Sequence, residues 1–184
     1  MRLAIGTTAT ATGAPSATTS KTPRAHTALR RTIRPMRIAV SSDERTGVAD
    51  AVVEQLRRRG HEPVTHGALA DGVRPDWAWA SEAAARDVAE GRADQAVVCC
   101  WTGTGASIAA NKVPGIRAAL CGDAQTADGA RKWNDANVLA LSLRTTAEAE
   151  REEILDAWFA AAPSPDDDDR ANVAHLAEIE RLSG

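Results

Sequence analysis

The 184-residue chain lacks most of the features that would announce a chemistry at first sight. Its three cysteines, Cys99, Cys100 and Cys121, include two that are adjacent, which gives no disulfide framework. A reduced, cytosolic protein is the expectation. No Cys/His cluster has zinc-ligand spacing, and the four histidines, His26, His61, His66 and His175, are scattered. No zinc site is therefore expected. No apolar run approaches the length of a membrane-spanning helix, so no membrane association is expected. The small-residue loop at Thr102–Gly105 is not followed by Gly-Lys-Ser/Thr, which excludes a Walker P-loop. Its glycine spacing also excludes the dinucleotide fingerprint. Acidic residues are missing from positions 1–35, which hold six basic ones: Arg2, Lys21, Arg24, Arg30, Arg31 and Arg34. Residues 36–184 are left with 16 basic against 25 acidic residues, a net charge of about −9. So acidic a segment is not expected to bind nucleic acid.

What is present suits a single compact domain with a full core, since 43% of the residues are apolar. Residues 1–35 are rich in Thr, Ala, Ser, Pro and Arg without hydrophobic period, and read as a disordered leader. They carry the charge bias of a transit peptide. A start assigned too early is the alternative, because Met36 stands directly before the first strand. The domain is then 36–184. Strands are expected at 37–41, 62–66, 95–100, 117–121 and 138–142. Helices are expected at 48–59, 76–90, 107–111, 124–133, 147–161 and 170–182, with Gly60 stopping the first and Asp76 capping the second. Strands alternating with helices predict an α/β fold: a doubly wound, five-stranded parallel sheet in a Rossmann-like three-layer sandwich, with a C-terminal helix. Sites in such sheets lie at the carboxyl ends of strands, where Asp43, Cys100 and the Thr102 loop fall.

The run from Val97 to Leu120 is the most informative stretch. An apolar strand ends in Cys100, breaks into Thr102-Gly103-Thr104-Gly105, and continues into a short helix and a second apolar run. A thiol so placed faces backbone amides and the positive end of a helix, which favours a thiolate and developing oxyanions. Carbanion or acyl chemistry on a small anionic molecule is implied. Cys99, one residue earlier, should point to the opposite face and into the core.

The segment Cys100-Trp101-Thr102-Gly103-Thr104-Gly105-Ala106-Ser107-Ile108-Ala109-Ala110-Asn111-Lys112, with Gly115-Ile116-Arg117-Ala118, resembles the C-G-T-G-x-G-x-S-I-A-A-N-K…G-I-R-A motif of ribose-5-phosphate isomerase B. That family includes the galactose-6-phosphate isomerase subunits. Asn134-Asp135-Ala136-Asn137-Val138-Leu139-Ala140 is similar to its N-D-x-N-V-L-A stretch, and Ser42-Asp43 to its S-D-H start. The resemblance covers about residues 36–182. It implies an aldose–ketose isomerase, needing no metal or organic cofactor, in which Cys100 moves a proton between neighbouring carbons of a sugar phosphate through a cis-enediolate. It further implies that Thr102 orients substrate oxygens and that Asp43 holds a hydroxyl. The amides of Gly103, Thr104 and Gly105 would bind the developing charge. Ser107, Trp133, Asn134, Arg144 and Arg170 are further candidate substrate contacts. The partners it implies are a small-molecule sugar phosphate and a second copy of the chain, in a homodimer or homotetramer whose active sites share residues. A non-catalytic or partner subunit of a hetero-oligomeric isomerase is the alternative.

The chain departs from the family's pattern mostly within the site. Trp133 stands where the family has the histidine that opens the furanose ring, and an indole cannot shuttle that proton. Glu44 replaces a phosphate-contacting histidine, Trp101 a glycine and Arg74 a tyrosine. Of two arginines near the C-terminus, Arg170 remains and Ala174 replaces the other. Several readings stay open. Asp43 could instead cap the following helix. Glu44 could face solvent, and the Asp166–Asp169 run could be a solvated loop. Arg144 and Arg170 could grip phosphate or pair with that run. Trp133 could be packing or a pocket wall.

Overall fold

The protein is described by a computed structural model covering residues 34–183; the expectation of a disordered leader falls on residues outside that range, apart from Arg34 and Pro35. In chain order the elements are β1 (Arg37–Ser42), α1 (Gly47–Arg58), β2 (Glu62–Gly67), α2 (Trp77–Ala89), β3 (Gln95–Cys100), α3 (Thr104–Ala110), β4 (Ala118–Leu120), α4 (Ala124–Asn134), β5 (Val138–Ser142), α5 (Glu148–Ala160) and α6 (Asp167–Ser183). The strands form one five-stranded sheet in the order β2-β1-β3-β5-β4, and every pairing is parallel. Among the described residues, no helix is long and apolar enough to cross a membrane, and no group of three or more His, Cys, Asp or Glu is placed to hold a metal ion.

Because strand side chains alternate between faces, each central strand feeds two separate cores. Ile38, Val40, Val97, Cys99, Leu139 and Leu141 point to the face covered by α1, α4 and α5, where they meet Val52, Leu56, Ala127, Ile154, Leu155 and Trp158. Ala39, Ala96, Val98, Cys100, Val138 and Ala140 point to the other face and meet Ala84 and Ala85 of α2 and Ala106 and Ala110 of α3. One face is therefore built from branched side chains and the other largely from alanine. Small residues on both sides of an interface let a helix approach the sheet closely, which brings α2 and α3 near the strand that carries Cys100. Cys99 lies in the bulky core, as its alternation predicts.

Local chemistry explains most element ends and three corrections. The Thr46 hydroxyl caps α1 by accepting from the Ala49 amide at 3.3 Å, so Asp43 is released from that task. Gly60, at φ +81°, stops the helix. Asp76 stands at the cap position of α2 but makes no capping bond; its carboxylate is taken by Arg74 Nε at 2.6 Å. Helix α3 begins at Thr104, three residues before the expected start, because the glycines fold into its entry rather than into a free loop. The acidic run is not a loop either: Asp167, Asp168 and Asp169 form the first turn of α6, where carboxylates complement the unpaired amides and the helix dipole.

His61 offers a stability test. It is 5% exposed, stacks against Phe159 at 4.5 Å between ring centroids, and neither ring nitrogen has a partner. Burial, assisted by the nearby Arg59 charge, holds its pKa below the ordinary 6.5. Between that lowered value and 6.5 the unfolded chain binds more protons than the folded one, so stability falls as pH drops through this window. Urea midpoints at about pH 7.5 and about pH 5.5 should differ less in His61→Phe than in the parent protein.

Candidate active site

Cys100 is the last residue of β3 and pairs in register with Ser142, the last residue of β5. It faces the alanine-lined core and is 4% exposed. The Ala106 amide, in the first turn of α3, donates to Cys100 Sγ at 3.4 Å. The sulfur thus meets both a backbone N–H and the positive end of a helix. The other two thiols are in different surroundings. Burial pushes Cys99 up to about 12, and burial with the Asp123 charge pushes Cys121 up to about 12. Both remain protonated near neutral pH and cannot serve as bases.

The peptide after Cys100 is held on both sides. The Cys100 carbonyl accepts from the amides of Gly103 at 3.1 Å and Leu143 at 3.0 Å. The Trp101 carbonyl accepts from Ser142 Oγ at 3.0 Å and from the Arg144 amide at 3.1 Å. Ser142 also accepts from the Thr145 amide at 3.2 Å. Ser142 braces the Trp101 peptide, which the sequence reading did not single out, although a lone polar residue closing the apolar run Val138–Leu141 was a visible signal.

One expected donor has to be corrected. Gly103 cannot offer its amide to a substrate while that amide is spent on Cys100 O. Its contribution is conformational: it sits at φ +75°, and a Cβ there would lie 2.5 Å from Leu120 Cδ1 and 3.0 Å from the Leu141 backbone. Thr104 and Gly105 occupy the first turn of α3, where amides lack intrahelical partners. Thr102 and Thr104 are exposed, with their hydroxyls 2.7 Å apart. Ser107 turns to the sheet edge and donates to the Ala118 carbonyl at 3.4 Å.

Asp43 follows β1 at the same carboxyl end. Its Oδ1 is buried without a hydrogen-bond partner. Burial raises its pKa above the ordinary 3.8, against the opposing effect of backbone N–H groups at Asp43, Glu44 and Trp101. The contact with Trp101 places this carboxyl beside the Cys100 loop. Glu44 is exposed and faces solvent. Arg144 is exposed too, tethered by its own amide to Trp101.

Trp133, Asn134 and Arg170 are not brought to this end. Asn134 closes α4 just before β5, whose first residue, Val138, pairs with Ala96 and Ala118 at the amino ends of their strands. Cys100 lies four residue steps further along β3 than Ala96, a separation of about 13 Å along the sheet. Trp133 packs on Gly129, one helical turn earlier. With Lys132, Arg170 and Val173 it lines a cavity of about 330 Å³ beneath α6. Asn134 lines a different cavity, of about 370 Å³, with Arg117, Leu176 and Ile179. Arg170 pairs with Asp167. Other residues of the same motifs hold the fold. Asn111 exchanges bonds with the Ala118 backbone at 2.8 and 2.9 Å. Asn137 links the Arg117 amide and the Gly115 carbonyl at 2.8 and 2.9 Å. Asp135, at φ +43°, binds Arg117 at 2.9 Å and Arg131 at 3.3 Å.

Comparison with known proteins matches residues 38–176 to the family described as Ribose/Galactose Isomerase. The galactose-6-phosphate isomerase subunit LacB of Clostridium acetobutylicum is 38% identical over 128 residues, 70% of this chain and 73% of that protein. The D-erythrulose-4-phosphate isomerase of Pectobacterium atrosepticum is 32% identical over 125 residues, 67% of this chain and 82% of that protein. The solved structure of Clostridium thermocellum ribose-5-phosphate isomerase B superposes with a TM-score of 0.74 at 33% identity, covering 81% of this chain and all of that one.

Gly103→Ala tests the geometry of the turn. Left-handed strain and the approach to Leu141 should cost about 1–3 kcal/mol in urea unfolding; a parent-like midpoint would contradict this placement.

Proposed function

Since the chain belongs to the ribose/galactose isomerase family, we propose that it is an aldose–ketose isomerase of a small, open-chain sugar phosphate, with Cys100 as the proton-transfer base. The observation that carries the reading is the Cys100 sulfur at the carboxyl end of β3 with the Ala106 amide at 3.4 Å. The thiolate takes the proton from the carbon next to the carbonyl, leaving a cis-enediolate, and returns it to the neighbouring carbon. A hydroxyl proton moves between the two oxygens in the same exchange. Thr104 and Gly105 amides lie where they can meet the oxygen charge. Removing one such donor typically costs about a hundredfold to a thousandfold in rate. Thr102 orients the substrate oxygens. Asp43, with a buried, unpartnered oxygen, suits a substrate hydroxyl that donates to it. Arg144, exposed after β5 at this end, is assigned to the phosphate.

Trp133 is what favours an open-chain substrate in this reading. An indole has no basic nitrogen to open a furanose. A tetrose 4-phosphate cannot form the phosphorylated furanose, because the oxygen that would close the ring carries the phosphate. Such a sugar needs no ring-opening group. A D-erythrulose-4-phosphate isomerase is among the relatives at 32% identity, below ribose-5-phosphate isomerases at 37–38%, so the substrate class rests on Trp133 and not on identity.

A second copy completes the site in this reading. Trp133, Asn134 and Arg170 lie at the other end of the sheet from Cys100 in a single chain, so they reach a Cys100 pocket only from a partner. A homodimer or homotetramer with shared sites meets that need. A second reading has its own support: Cys100 is only 4% exposed, and a relative is named as a subunit. In that reading the chain is a binding subunit that requires an unlike partner.

The purified chain is expected to turn over tetrose phosphate faster than ribose-5-phosphate, with Cys100→Ala losing about a hundredfold or more. Faster turnover of ribose-5-phosphate would sink the substrate class and leave the family intact. Iodoacetamide should block Cys100 near neutral pH, with substrate protecting it; slow, ligand-independent alkylation would favour the binding subunit. Analytical ultracentrifugation should give a dimer or tetramer, and an active monomer would remove the shared site.

A further inference from the structure

We propose that Trp77 is a positioning residue for Cys100: its indole presses on Gly105 and sets the first turn of α3, so that the Ala106 N–H stays on the sulfur. The inference rests on the isomerase reading above and deepens it.

The contact is close and specific. A Cβ on Gly105 would lie 3.0 Å from Trp77 Cε3, 3.1 Å from Cδ2 and 3.5 Å from Cζ3. The six-membered part of the indole therefore crowds the space that a Cβ at 105 would take, and would have to give by a few tenths of an ångström. Trp77 is not core filler, since it is 45% exposed. It is the first residue of α2, and the turn that presents it is braced. Arg74 Nε holds the Asp76 carboxylate at 2.6 Å, and the same guanidinium lies 3.4 Å over the Trp79 ring. One arginine thus ties the residue before Trp77 to the residue two places after it, and the ring between them is held on its target.

Gly105 is the direct neighbour of Ala106, whose amide reaches Cys100 Sγ at 3.4 Å. α3 is a short helix, Thr104–Ala110, and its first turn has few hydrogen bonds of its own to fix it. Without the indole, the turn can tilt away from β3. A tilt of about 1 Å would break a bond of this length, and displacements of that size can cost about a hundredfold in rate. The same tilt moves the Thr104 and Gly105 amides away from any substrate oxygen.

The experiment compares Trp77→Ala, Trp77→Leu and Trp77→Phe by amide hydrogen exchange and steady-state kinetics. In Trp77→Ala the Ala106 amide should exchange about tenfold faster or more, while amides of α1 and α5 stay within about twofold of the parent. On the best sugar phosphate, kcat should fall about tenfold with KM within about twofold, and Trp77→Phe should restore most of both. Trp77→Leu, which keeps bulk and loses the flat ring, takes the place of the alanine variant should that one not fold. Unchanged exchange at Ala106 overturns the proposal, as does parent-like kcat in a folded Trp77→Ala or Trp77→Leu. Exchange at Ala106 needs no turnover, so an inactive parent enzyme would remove the isomerase reading while this readout still decides the role of Trp77.

Discussion

The arrangement at the carboxyl end of the sheet depends on how closely α3 packs against β3. That distance is set by alanine: Ala96 and Ala140 on the sheet meet Ala106 and Ala110 on the helix. A branched residue at any of these positions would push the helix outward. Cys100 is the last side chain on the same face, so the close approach that packs the core also brings the Ala106 amide to the sulfur. Cys99, a single residue earlier, faces the bulky core, where burial pushes it up to about 12. The chemistry of the two neighbouring thiols differs because the pleat sends them to opposite sides of one sheet.

A second constraint is the parallel order of the strands. A helix that follows a strand in such a sheet runs back to the amino end. Asp43, Cys100, the Thr102 loop and Arg144 follow strands, so they gather at the carboxyl end. Trp133 and Asn134 end a helix, so they lie at the amino end, under α6. No rearrangement within one chain can bring the two groups together without breaking the sheet. This is the physical ground on which the proposed function assigns a second subunit to the site. The polar residues between the groups are occupied with the fold. Asn111 and Asn137 tie the β4 edge to its neighbours, and Asp135 neutralises two arginines.

Much of this was legible in the sequence. The period of the apolar residues located the strands and helices, and the glycine-rich segment after Cys100 marked the candidate site. Three features were not legible, each because nearby groups offer competing local arrangements that residue type does not decide between. Thr102–Gly105 reads as a loop, yet Thr104 and Gly105 belong to α3, because Gly103 turns left-handed and gives its amide to Cys100 O. Asp76 reads as a cap until Arg74 takes its carboxylate. Four consecutive aspartates read as a solvated loop, while three of them start a helix whose dipole they favour.

The sequence by itself determined the layered α/β architecture and which thiol ends a strand, because both follow from local periodicity and strand alternation. Only the tertiary structure decided that Trp133, Asn134 and Arg170 lie away from Cys100, that Ser142 braces the Trp101 carbonyl, that Trp77 packs on Gly105, and that the Gly103 amide is already engaged. The Ser142 and Trp77 contacts join β5 to the loop after β3 and α2 to α3, segments far apart along the chain. No local pattern encodes their distance or direction.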